Sequence, residues 1–104
     1  MTRSTAPTLT VIYWRDIPAQ VIVAAGRTKH RVELTPRFQQ AIDRAAMHTG
    51  RIGPDEYLDD WKKQKSEVRG DPQEAAEAAA AELENRYPPN ALNDLVENGG
   101  FEAP

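Results

Sequence analysis

Cysteine is absent from the 104 residues. That excludes disulfides, thiolate zinc sites, Cys-ligated iron–sulfur clusters and cysteine nucleophiles. Histidine occurs only as His30 and His48, and neither has a second His at metal-ligand spacing, so no metal and no cofactor is expected. There is no Gly-rich phosphate loop: Gly26 stands alone, and Gly50-Arg51-Ile52-Gly53 fits neither G-x-G-x-x-G nor a P-loop. Ser4 and Ser66 lack the surroundings of a nucleophile. No apolar run approaches the ~20 residues of a membrane helix. Met1 to Pro7 lead into a short apolar stretch with no small-residue cleavage site behind it. No signal peptide and no membrane partner are therefore expected, and a cytoplasmic location is the default.

What remains is one small domain, or a domain with a tail. Hydrophobic residues make up 39%, but fifteen of them are Ala, and the large ones concentrate before Lys62. Charge is also uneven. Residues 1–54 hold eight Lys/Arg against three carboxylates, and residues 55–104 hold five against thirteen. Either the halves neutralise each other or the basic head meets an anionic partner. The net charge of −3 argues against a dedicated nucleic-acid binder.

Thr8 to Arg15 is rich in β-branched and aromatic residues and predicts a strand. Asp16-Ile17-Pro18-Ala19 predicts a turn, and Gln20 to Ala25 a second, apolar strand. After Gly26, Lys29 to Leu34 alternates, with His30, Val32 and Leu34 on one side. Three strands with short links make an antiparallel meander. Thr35-Pro36 opens a helix that Gly50 closes. Gly53-Pro54 opens a second helix, with Tyr57, Leu58, Trp61 and Val68 as its apolar stripe and Gly70 as its end. Asp71-Pro72 caps a third, Ala-rich helix that Pro88-Pro89 breaks. A short turn carrying Leu92, Leu95 and Val96 follows, and Phe101 to Pro104 are expected to fray. The fold class is α+β: a three-stranded antiparallel meander followed by two to three helices packed on the sheet. Residues 8–70 form the core domain, and residues 71–104 the Ala-rich helix and a loosely ordered tail.

The first strand has two apolar faces, Leu9, Val11 and Tyr13 on one and Ile12 and Trp14 with Thr10 on the other. The first helix covers one face. The other meets Tyr57, Leu58 and Trp61, a second copy of the chain, or a different protein. In the latter cases Ile12 and Trp14, with Arg15, Asp16, Pro18 and Gln20 around the turn, form a partner-binding patch. The plainer alternative is that Asp16 caps its turn and Arg15 pairs with an acidic helix. Arg27, Lys29 and Arg31 form an anion-binding cluster, or else an edge strand kept unpaired by its charges. Asp55, Glu56, Asp59 and Asp60 fit a solvated helix N-terminus better than a cation site.

The run Tyr13-Trp14-Arg15-Asp16-Ile17-Pro18-Ala19-Gln20-Val21, with Gly26-Arg27, Phe38 to Met47, and Asp55, Tyr57, Leu58 and Trp61, resembles the small bacterial "virulence factor" domain family. The likeness runs over roughly residues 8 to 87. The same domain occurs in the conserved virulence factor C proteins, beside an iron–sulfur-scaffold-like domain whose chemistry a Cys-free chain cannot share. The family hands down no catalytic activity. The resemblance implies an association with one-carbon or corrinoid methyl-transfer enzymes. The resulting expectation is a non-enzymatic protein-binding accessory or adaptor module, partnered by another protein or a second copy of itself. The alternative is a small-molecule or cofactor-binding protein using the Arg15–Asp16 turn and the Arg27 to Arg31 cluster. Nucleic acid is not an expected partner.

Overall fold

The computed structural model describes residues 6–51 and 53–102. The β-branched N-terminal segments form β1 (Thr8–Trp14), β2 (Ile17–Ala25) and β3 (Thr28–Glu33), each antiparallel to the one before. The meander is therefore present, but the first turn is tighter than expected. It consists of Arg15 and Asp16 alone, and Ile17, Pro18 and Ala19 belong to β2. Pro18 fits inside a strand because the β1–β2 register shifts there: Ile12 faces Gln20 while Tyr13 faces Pro18. That bulge skips Ala19 and places the residue without an N–H where the ladder is already irregular.

Helix α1 (Pro36–Thr49) starts after Thr35 and ends at Gly50, whose φ of 74° is the left-handed conformation that favours glycine at a helix end. Its stripe of Phe38, Ala41, Ile42, Ala45 and Ala46 is buried. The second helix departs from expectation. Only α2 (Pro54–Asp59) is helical, and Trp61–Glu67 forms a fourth strand, β4, antiparallel to β1. The sheet order is β3-β2-β1-β4, four strands rather than three. The Lys-rich segment is a fair helix former, but the free edge of β1 offers a row of backbone hydrogen bonds, and tertiary pairing overrides a weak propensity. The lysines then act as an edge strand's charges do, discouraging further pairing.

Helix α3 (Pro72–Arg86) begins at Asp71, whose carboxylate accepts from the Glu74 amide at 2.9 Å. Helix α4 (Pro89–Glu97) opens on the second proline of the pair and buries Leu92, Leu95 and Val96. Helix α3 lies on β2 and β3, while α1 rests on β2 and α4. Val11, Val21 and Val23 share one apolar cluster with Phe38, Ile42, Leu83, Leu92 and Leu95. These helices all pack on one side of the sheet. No helix among the described residues is long and apolar enough to cross a membrane.

Candidate functional site

The pairing register builds the other side of the sheet row by row, because residues opposite one another across a ladder point to the same face. One row is Glu33, Gln20, Ile12 and Lys63. The next is Arg31, Ile22, Thr10 and Lys65, and the third is Lys29, Ala24, Thr8 and Glu67. The two inner strands thus present Ile12, Ile22, Ala24 and the two threonines as a shallow apolar trough of about 330 Å³, with Lys29, Lys63 and Lys65 on its walls. The outer strands frame it with four cations and two carboxylates. None of these six side chains makes an ion pair among the described residues.

One end of this face is closed. Trp14 is 0% exposed. Its indole Nε1 donates to the Tyr57 carbonyl at 3.0 Å, and its ring stacks on Tyr57 at 6.0 Å. The Trp61 ring meets Tyr57 edge-on at 5.7 Å and lines a pocket with Ala19 and Gln20. Short α2 and the start of β4 therefore fold over Trp14 and leave Ile12 outside.

Arg15 and Asp16 hold that corner together. Arg15 has φ 54°, a backbone region that costs a side-chain-bearing residue about 1–2 kcal/mol. Its amide donates to the Asp60 carbonyl at 2.8 Å, and Nη1 donates to the Gly99 carbonyl at 2.6 Å. Nε lies 3.2 Å from Asp60 Oδ2, a carboxylate shared with Arg51. The guanidinium lies between the Trp14 and Phe101 rings, 5.1 and 4.6 Å from their centroids. Asp16 accepts from Lys62 Nζ at 3.0 Å and from the Glu102 amide at 2.8 Å. Its own amide donates to the Gly100 carbonyl at 2.8 Å. Phe101 and Glu102, expected to fray, are thus tied to the β1–β2 turn.

Burial raises the Asp16 pKa, but the Glu102 amide and the Lys62 ammonium outweigh it, and the net position is below the usual 3.8. A depressed folded pKa stabilises the fold at pH above the unfolded value and ceases to do so as pH falls through the folded one. Asp16→Asn is therefore expected to melt below wild type at neutral pH. The gap should narrow only once pH drops beneath about 3.8, as paired melts across the acid range will show. A gap independent of pH would mean that the carboxylate charge contributes nothing.

The structure separates the residues singled out from sequence into two groups. Ile12 and Gln20 share the bare face with Lys29 and Arg31, and Arg27 is exposed in the β2–β3 turn. Trp14 and Pro18 are internal, which corrects their expected place in a docking patch, and Arg15 and Asp16 are engaged within the chain. The Arg15–Asp16 turn and Arg27 lie at opposite ends of the nine-residue strand β2, roughly 30 Å apart at strand rise, so the groups required by the cofactor-binding alternative do not converge. His30 shares a hydrogen bond of 2.9 Å with Gln73 across to α3, and His48 is exposed in the last turn of α1. Of the acidic group, Asp60 joins the Arg15 corner while Asp55, Glu56 and Asp59 are exposed. Lys63 and Lys65 were missed because their segment was expected to be helical. No apolar residue stands between Trp61 and Val68, so the segment carries neither a helical nor a strand period of its own.

The architecture is α+β: a four-stranded antiparallel sheet with α1, α3 and α4 gathered on one side, while short α2 closes one end of the other side and leaves most of it bare. The chain belongs to the virulence factor family, whose model matches residues 12–96, from the middle of β1 to the end of α4. No curated protein and no solved structure matches it.

Proposed function

We propose that the chain is a non-enzymatic protein-binding accessory module that docks another protein on the bare face of its sheet. The observation that supports this most is the make-up of that face. A sheet surface meant only for water is polar at its outward positions. Here both inner strands point Ile12, Ile22 and Ala24 outward, in one patch ringed by charges. An apolar centre with a polar rim is the common anatomy of a protein interface.

The methyl-transfer enzymes implied by the family resemblance are the first partners to test, reconstituted from purified components. Ile22→Asp places a carboxylate at the centre of the trough, at a partly buried position on the face that no long helix covers. It is expected to weaken the partner's affinity at least tenfold, or about 1.4 kcal/mol, in a chain that still melts cooperatively. A partner that binds Ile22→Asp as tightly as wild type would place docking elsewhere.

A further inference from the structure

We infer that the occupant of the bare face is an acidic amphipathic helix of about nine residues from the partner protein; this rests on the docking reading above. The dimensions come first. The apolar strip runs along β1 from Thr8 to Ile12, a span of roughly 14 Å at strand rise, which about nine helical residues cover. The flanking rows on β3 and β4 are three strand spacings apart, also roughly 14 Å, and a helix with its side chains is about 10–12 Å wide. A single helix therefore fits lengthwise between the two charged rows.

Backbone chemistry favours a helix over an extended segment. Strands β1 and β2 are each paired on both sides, so the face has no free ladder for a strand to join. A helix arrives with its backbone already satisfied and needs only apolar contact. Charge decides the flanks. Lys29 and Arg31 line one side and Lys63 and Lys65 the other, with Glu33 and Glu67 at diagonally opposite corners. The surplus is positive and staggered, so the complementary helix carries Asp or Glu on both shoulders of its apolar stripe.

The other occupants fit less well. In-register stacking of two copies face to face sets Glu33 and Glu67 against lysines, but it also brings the middle-row cations Arg31 and Lys65 against cations in either two-fold orientation and leaves the positive surplus of both faces unmatched. A nucleic-acid strand needs stacking platforms, and none of the twelve residues in the three rows is aromatic.

The test uses the full chain and two synthetic helical peptides of about twelve residues. One has a leucine stripe with glutamates on both shoulders, and its twin has lysine in place of every glutamate. In an amide-resolved NMR titration, the glutamate peptide is expected to shift the signals of Thr10, Ile12, Ile22, Lys63 and Lys65. Its affinity should fall at least tenfold between about 50 and 500 mM salt. The double variant Lys63→Glu/Lys65→Glu, altered only on an exposed edge, should lose at least tenfold for the glutamate peptide and gain for its twin. The inference is overturned if both peptides bind alike, if the shifts fall on the α1 and α3 side, or if none occurs up to about 1 mM peptide. A dimer seen by sedimentation and lost in Ile22→Asp also overturns it, in favour of a second copy. If the peptides fail but a reconstituted partner still loses affinity for Ile22→Asp, only the helix is wrong. If that partner ignores Ile22→Asp, the docking reading falls as well.

Discussion

Trp14→Ala is expected to cost about 3–5 kcal/mol, the range for deleting a fully buried large aromatic side chain. The ring is 0% exposed, stacks on Tyr57, donates to the Tyr57 carbonyl and lies beneath the Arg15 guanidinium. Removing it empties the corner where β1, α2, β4 and the C-terminal segment meet. The Arg15 side chain loses one of its two ring partners, and its strained backbone keeps less to offset the cost. Against a typical total of about 5–15 kcal/mol for a small domain, that is a severe loss. Chemical denaturation should show the midpoint collapsing, and the melting temperature should fall by on the order of 20 °C. Trp14→Phe keeps most of the apolar contact and gives up the indole N–H, so it should cost only about 1–2 kcal/mol. The comparison bears directly on function. If Trp14 belonged to the docking surface, the alanine variant would keep its stability and lose its partner. A stable Trp14→Ala would contradict the buried corner.

The sequence and the structure agree where one residue's chemistry is enough to fix the local geometry. Thr35-Pro36 and Gly50 bound α1, Asp71 caps α3, and the alternation after Gly26 yields β3 with Val32 turned toward the helices. The fourth strand was hidden for a physical reason. Strand β4 is exposed on both faces beyond Trp61, so it carries no hydrophobic alternation, and its place is set by the edge of β1 rather than by its own residues. The candidate site was half legible for the same reason. Two apolar faces on β1 and a basic third strand were readable in one dimension. That Lys29 and Arg31 flank Ile12 and Ile22 follows from the register, and Lys63 and Lys65 complete the frame only once β4 is known. The burial of Trp14 depends on Tyr57 and Gly100, 43 and 86 positions away along the chain, which no local pattern encodes.

Gly100→Val is expected to be the second most damaging change, at about 2–4 kcal/mol from left-handed strain and overpacking combined. Gly100 has φ 95°, and a Cβ there would come within 3.0 Å of Trp14 Cζ3 and 3.1 Å of Arg15 Cδ. Neither neighbour can give way: the ring is enclosed, and Arg15 is held by Asp60 and the Gly99 carbonyl. The chain has one route of relief, release of the Gly99–Glu102 segment from the turn. That route gives up the bond from the Asp16 amide to the Gly100 carbonyl, the bond from the Glu102 amide to Asp16, and the Phe101 contact with Arg15. Tyr87 reports which route is taken. Burial, then its hydrogen bond to Glu102 and that carboxylate's charge, push its pKa up to about 12. Raised above the usual 10.0, it stabilises the docked state below pH 10 and stops doing so as pH climbs through the folded value. If the segment lets go in Gly100→Val, phenolate absorbance should show Tyr87 titrating lower than in wild type, because the Glu102 hydrogen bond and charge are lost while the burial against Phe38 remains. If it stays docked, Tyr87 keeps its high value and the whole fold bears the strain as a lower melting temperature. A variant with wild-type stability and an unmoved Tyr87 would show that the segment does not pack against Trp14.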